Sequence, residues 1–349
     1  MLLMSESSAV ASVLVPSALY NMQLILEDMT GPHGAALLGT AWHFAALDAT
    51  LPLGECDLPV TWERYATLLQ TLAGVKLEHH PADEANHAYD RVEFGQPIVL
   101  AVDSYHLPYR PAFRRVNSAR TIIVTAIDMA AGMVEIVDPW MPNYRGAVAL
   151  ADLDRARASV VPSDHGREPL YAGDPLRRRW WTLALLGDPL LAHRDSTLRA
   201  LALLTAQAEG HLAQAATPDA LEQSRIDIVG ALAMPLADSQ SARRRAALHL
   251  RGEIGLRAYL VEFFRVAADV LDDPLLGGEI AAWSMQLAEL ARARDVLIKS
   301  IVFDRPIYGE IVDDVLVMAI RRERRFLQFM KEAYSGDPAE MPQAGSVSC

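Results

Sequence analysis

The chain has 349 residues, 51% of them hydrophobic and 22% charged, with 44 acidic side chains against 32 basic ones and a formal net charge of −12. That length suggests two domains, each able to bury a core, and the composition is that of an ordered globular protein. The acidic balance repels phosphate backbones, and the short arginine clusters at 177–179, 243–245 and 321–325 lack interleaved aromatics, so nucleic acid is not expected as a partner.

The opening stretch MLLMSESSAVASVLVP has no Lys or Arg to build a charged region, so it does not read as a signal peptide. No apolar run approaches the ~18–20 residues of a membrane span. The expectation is a soluble cytoplasmic protein with no membrane contact. Cys56 and Cys349 form neither a disulfide framework nor a zinc spacing.

The first predicted helix covers 17–29, started by Pro16-Ser17, with Leu19, Met22, Ile25, Leu26 and Met29 on one face. Gly31-Pro32 ends it. A second covers 61–72, with Thr61 as N-cap, Trp62, Tyr65, Leu68, Leu69 and Leu72 inward, and Gly74 beyond its end. A shorter helix is predicted at 82–89. Strand signals follow at 97–102 (PIVLAV), 120–127 (RTIIVTAI) and 133–137 (MVEIV), the last two joined by the short hairpin connection Ala130-Ala131-Gly132. A brief strand at 147–150 precedes a helix at 150–158. Helices followed by an antiparallel sheet make an α+β pattern. The stretch 161–175, with its prolines and glycines, reads as a linker between a domain at 1–165 and a mostly helical one at 176–335. Helices are predicted there at 177–186, 196–215, 218–234, 239–271, 277–302 and 308–334. Phe263, Phe264 and Trp283 give this half an apolar face that serves either its core or a homodimer.

Motif chemistry is sparse. His79, His80 and His87 have no carboxylate at ligand spacing, and there is no H-E-x-x-H, phosphate loop or dinucleotide fingerprint. No metal or cofactor is expected. The order of elements is more informative. A helix begins at a small polar residue, Ser17, and much later come a strand, a loop, a second strand and a hairpin ending V-D-P-W. Cysteine-peptidase-like folds use this layout. The nucleophile sits at a helix N-terminus, the base opens one strand, and its orienting group ends the next.

Four stretches within residues 14–160 carry a resemblance: SALYNMQLIL, LLGTAWHF, GQPIVLAVDSYHLPYRPAF, and RTIIVTAID paired with VEIVDPW. They resemble the N-terminal domain of the butirosin biosynthesis protein H family, a relative of leader-processing peptidases. The resemblance implies a papain-like or leader-peptidase-like α+β domain followed by a mostly α-helical region. It further implies that a cysteine takes an acyl group from a carrier-protein thioester and hands it to an amine. Carried over residue by residue, the nucleophile's place falls on Ser17 (or Leu19, if the register slips by two), the histidine's on Arg120, and the third member on Asp138.

An arginine cannot act as a base, and a serine without one is a poor nucleophile. Arg120 beside Asp138 makes a buried ion pair or a clamp for an anion. His106 or His43 could replace the base, and Cys56 the nucleophile. Asn21, Trp42, Tyr105, Tyr109, Asn117 and Trp140 are the expected lining of the cleft. Two functions remain open: an enzyme acting on acyl or aminoacyl thioesters, or a silent homologue that serves as scaffold for an assembly-line enzyme. The expected partners are an acyl- or peptidyl-carrier protein, met by Arg110, Arg114 and Arg115, and a small-molecule amine.

Overall fold

A computed structural model describes residues 16–41, 61–82, 87–160, 176–187, 194–213, 220–233, 236–303 and 309–334. Six strands form one sheet: β1 (Val75–His80), β2 (Ile98–Asp103), β3 (Ala119–Asp128), β4 (Met133–Asp138), β5 (Tyr144–Ala149) and β6 (Trp180–Leu185). Their order is β1-β6-β2-β3-β4-β5, and every neighbouring pair is antiparallel. With the helical second half, this is the expected α+β class.

Both faces of the sheet are buried. Strand side chains alternate between faces, and the sequence supplies apolar groups to each. Val99, Ala101, Ile123, Val137, Trp181 and Leu183 face α1 (Ser17–Thr30), α2 (Gly34–Gly39) and α3 (Trp62–Ala73). Ile98, Leu100, Val102, Ile122, Val124, Ile136 and Trp180 turn the other way, onto α4 (His87–Glu93) and α5 (Leu150–Ala158). The core on the α1 face continues into α6 (Arg194–Ala213), α7 (Ala220–Ala233), α8 (Leu236–Leu271), α9 (Pro274–Phe303) and α10 (Gly309–Tyr334).

The helix ends obey their local signals. The Thr61 hydroxyl accepts the Arg64 N–H, and Gly74 closes α3 in the left-handed conformation at φ 64°. In α1 the expected inward residues Leu19, Met22, Ile25 and Leu26 are buried, but Met29 is 43% exposed, because the last turn runs past the core. The short α2 and the strand β1 were not expected from the sequence. The helix expected at 82–89 is displaced to His87–Glu93, with 83–86 outside the described residues, and β5 starts at Tyr144 rather than 147.

The segment 177–186 is not a helix. It is β6, inserted between β1 and β2, so the sheet draws in a strand from beyond the expected linker. Trp180 and Trp181 are buried on opposite faces. A strand buried on both sides reads as a continuous apolar run, which periodicity alone does not distinguish from a buried helix. In the helical half, Phe263, Phe264 and Trp283 are wholly buried in the core and offer no surface to a second copy.

The two halves meet by direct backbone contact. A Cβ on Gly39 of α2 would lie 2.1 Å from the carbonyl oxygen of Tyr259 in α8. No rotamer relieves such an overlap, so Gly39→Ala must push α2 away from α8. The expected cost is about 3 kcal/mol, at the upper end for overpacking, read as a lowered urea midpoint; an unchanged midpoint would show that the two helices do not meet this closely.

Candidate functional site

The opening of α1 and the start of β3 enclose a hollow of about 30 Å³, with Ser17, Trp62, Ala119, Thr121, Arg179 and Trp181 among its walls. Pro16 is the N-cap and no side chain among the described residues caps the helix. The first N–H groups of a helix have no partner within it, so this end carries a partial positive charge. Asn21, wholly buried one turn further on, donates from Nδ2 to the Thr121 hydroxyl at 2.8 Å.

A second cluster surrounds Asp138 at the end of β4. Its carboxylate is wholly buried. Oδ2 accepts from Arg120 Nη1 and the Tyr109 hydroxyl, each at 3.1 Å, and lies 3.4 Å from Arg110 Nη1. Oδ1 accepts the Trp140 N–H at 3.2 Å. Arg110 also donates to the carbonyls of Trp140, Met141 and Pro142 at 2.9–3.0 Å. Burial, with the neighbouring Asp138 carboxylate, pushes the Tyr109 phenol well above its ordinary range, so it remains a donor. Burial also lowers Arg110, with Arg120 beside it acting in the same direction. The ring of Tyr109 stacks on Tyr144 with centroids 4.0 Å apart.

The two clusters lie on different faces of the sheet. Val137 joins the core on the α1 side and Ile136 the core on the α4–α5 side, so alternation turns Asp138 with Ile136. Along β3 the same rule sends Ala119, Thr121 and Ile123 toward α1, and Arg120 with Ile122 away from it. The hollow holds Ser17 and Arg120 but not Asp138, so Ser17 and Asp138 do not line one hollow as the sequence suggested they would. The expected Arg120–Asp138 ion pair is present, and Arg120 also contributes to the hollow's wall. The β3 residues that line the hollow with Ser17 are Ala119, Arg120 and Thr121, none of which is a base near neutral pH.

The other expected site residues separate similarly. Asn117 directs Nδ2 to Asp103 Oδ2 at 2.7 Å. Asp103 also accepts from the Tyr105 and Ser118 N–H groups and from the Ser159 hydroxyl, so Asn117 fastens the loop after β2 rather than lining a cleft. Tyr105 and His106 lie in the turn beside that loop, their rings edge-on with centroids 5.1 Å apart; neither lines the hollow. Trp140 packs edge-on against Tyr20 of α1 at 5.7 Å. Arg110 is buried on carbonyls and is not available to dock a carrier, whereas Arg114 and Arg115 are exposed. Trp42, His43, Cys56 and Cys349 lie outside the described residues.

Sequence reasoning missed Arg179, Trp181 and Trp62 as walls of the hollow, and His79 behind them. His79 stacks on Trp181 at 5.3 Å and leans on Trp62 at 5.4 Å. Reading Trp180-Trp181 as a strand would have placed one indole on each face and so found one wall.

A six-stranded antiparallel sheet with helices on both faces, followed by a mostly helical half, makes the α+β class that the sequence predicted. Residues 34–139 match the family model described as "Butirosin biosynthesis protein H, N-terminal", in agreement with the resemblance read from the sequence. The match runs from α2 to Pro139; it includes Arg120 and Asp138 and leaves Ser17 outside. No curated protein matches the chain. Among the described residues, no helix is long and apolar enough to cross a membrane, and no three His, Cys, Asp or Glu side chains are grouped to hold a metal ion.

Two outcomes follow for stability. Asp138→Asn leaves two guanidinium groups facing a neutral amide in a buried setting, so urea unfolding should register a loss of about 3 kcal/mol; a loss below about 1 kcal/mol would mean that the cluster is effectively solvated. Burial, with Arg179 and His80 nearby, lowers His79 to about 3, against about 6.5 in an unfolded chain. Between those values the unfolded chain binds a proton that the folded one refuses. This contribution is therefore complete above about pH 6.5 and is lost as pH falls toward 3. His79→Phe should flatten the decline in stability between pH 7 and pH 4, measured by urea titration at each pH; parallel curves for the two proteins would refute it.

Proposed function

We propose that the chain acts in antibiotic biosynthesis on an acyl or aminoacyl thioester delivered by an acyl- or peptidyl-carrier protein, aligning it with a small amine without a covalent enzyme intermediate. The observation that carries this reading is the hollow at the start of α1, where the strand opposite Ser17 offers Ala119, Arg120 and Thr121 instead of an imidazole. The family match supplies the biosynthetic setting.

The chemistry follows from what the hollow contains. A thioester carbonyl seated against the first N–H groups of α1 would have its developing negative charge stabilised as the amine adds. Thioesters are already activated, so holding the two reactants in line supplies much of the remaining barrier reduction. Among the described residues lining the hollow, Ser17 has no base to remove its proton, and its role is as a hydrogen-bonding wall. Arg114 and Arg115 present exposed positive charge suited to the acidic helix of a carrier.

A second reading, that of a silent scaffold for an assembly-line enzyme, is favoured by one observation. The place expected for the base is held by Arg120, whose guanidinium is committed to Asp138.

Incubation of the protein with an acyl-loaded carrier and an amine separates the two, with every species followed by intact mass. The expected result is amine-dependent loss of acyl from the carrier, with formation of the amide and no acyl adduct on the protein. An adduct would establish a nucleophile and overturn the non-covalent route. No acyl loss above background, with the carrier still retained by the immobilised protein, would leave the scaffold.

A further inference from the structure

We infer that the chain associates end to end: the end of the sheet that carries Phe94, Met129 and Leu186 is a docking surface for a second copy, which presents the corner formed by Arg114, Arg115 and Met141. The inference does not depend on the reading of the hollow.

Three large apolar side chains stand out at the end of the sheet where β2 begins. Phe94 is 87% exposed, Met129 56% and Leu186 55%. The sheet order brings them together. β6 and β3 are the two neighbours of β2, and both run antiparallel to it. Leu186 follows the last residue of β6, Met129 follows the last residue of β3, and Phe94 lies in the turn that leads into β2. Neighbouring strands lie ~4.8 Å apart, so the three chain ends fall within roughly 10 Å across the sheet. Apolar residues scattered singly over a surface are ordinary, whereas a contiguous group marks a contact site. The rim is acidic. Asp90, Glu93 and Asp128 are exposed beside the group, while the cations on this side, Lys76 and Arg91, are drawn to Glu78 at 2.6 and 3.7 Å.

The opposite end of the sheet has the complementary character. β2 finishes there, and the loop after it exposes Arg114 and Arg115, neither of them in an ion pair among the described residues. Met141, 81% exposed, projects from the turn after β4. Arg110 ties the two together. It belongs to the same loop as Arg114 and Arg115, and it donates to the carbonyls of Trp140, Met141 and Pro142. The loop is held as well, since the Arg114 N–H donates to the Tyr105 carbonyl and the Arg115 N–H to that of Ala112, each at 2.9 Å. A corner fixed in this way is preorganised and loses little entropy on docking.

A net charge of −12 opposes association of this chain with itself in general. Joining these two ends overcomes that repulsion locally, because it sets two guanidinium groups against three carboxylates and a methionine against an apolar group that includes an aromatic ring. The two surfaces sit at opposite ends of one sheet, so the contact is heterologous and does not close into a twofold dimer. The joint covers the arginines that face a carrier in the reading above, so carrier and second copy exclude each other at this corner.

Sedimentation velocity of the full chain at rising concentration tests the joint, with no carrier, acyl donor or amine present. The weight-average mass is expected to climb continuously past that of a dimer, and to fall back when salt is raised from about 50 mM to about 500 mM. Phe94→Lys removes one surface and Met141→Asp the other; both side chains are exposed, and circular dichroism checks that each variant folds. Each alone should remain monomeric. Mixed in equal amounts, they should form one joint and stop at a dimer, because each copy keeps one intact surface. If the turn does not tolerate Met141→Asp, the double variant Arg114→Glu, Arg115→Glu takes its place. A wild-type chain that stays monomeric, or whose mass levels at a dimer, would overturn the joint; so would a variant that associates as the wild type does, or a mixture that remains monomeric. A wild-type monomer that retains a carrier, and loses it on Arg114→Glu with Arg115→Glu, would overturn the joint and give the corner to the carrier.

Discussion

Alternation along a strand decides which side chains can meet, and in this protein it acts on a sheet buried on both sides. In β3, Ala119, Thr121 and Ile123 face α1, while Arg120, Ile122 and Val124 face α4 and α5. A one-residue slip would exchange the two sets and place apolar groups in the hollow and polar ones in the core. The register is therefore fixed by two cores at once. It also turns the Asp138 carboxylate to the face of the sheet opposite α1, although the start of α1 and Asp138 each lie near an end of a strand in the same sheet.

The Asp138 cluster accordingly has the composition of a fastening. One buried carboxylate gathers two guanidinium groups, a phenol and a main-chain N–H. Arg110 extends the network to three successive carbonyls of the turn after β4. Buried ion pairs add little net stability over apolar packing of the same volume, but they are costly to break singly and they fix geometry. Here they fix the loop that carries Tyr109 and the turn that carries Trp140. On the opposite edge of that loop, Asp103 does comparable work with Asn117, Ser118 and Ser159.

Much of this was legible in the sequence wherever a local signal was strong. Thr61 and Gly74 bracketed α3, and the β-branched runs located β2, β3 and β4 to within a residue or two. The V-D-P-W ending led to the Arg120–Asp138 pair. What escaped detection depended on tertiary context. β1, with the sequence VKLEHH, sits at a sheet edge and alternates only weakly. β6 is buried on both sides and has no period of its own. Asn117 looked like a cleft residue because its side chain is polar, yet the structure uses that polarity on Asp103. Arg120 and Ser17 could be named, but which face of β3 met α1 depended on parity, and parity is set by cores that only the folded chain assembles. The hollow's walls at Arg179 and Trp181 come from the start of β6, about eighty residues beyond its neighbour β2 in the chain, a separation no motif spans.

The position of β6 bears on how the chain can be made. It lies between β1 and β2, so until residue 185 has left the ribosome the sheet has a gap one strand wide, and β1 has no neighbour in it. The first 165 residues emerge with β2 presenting an unpaired row of amides and carbonyls, the sort of edge that recruits other chains. Nascent polypeptide of that length is thus exposed to aggregation until the inserted strand arrives, and a product truncated at the linker would keep that exposure permanently.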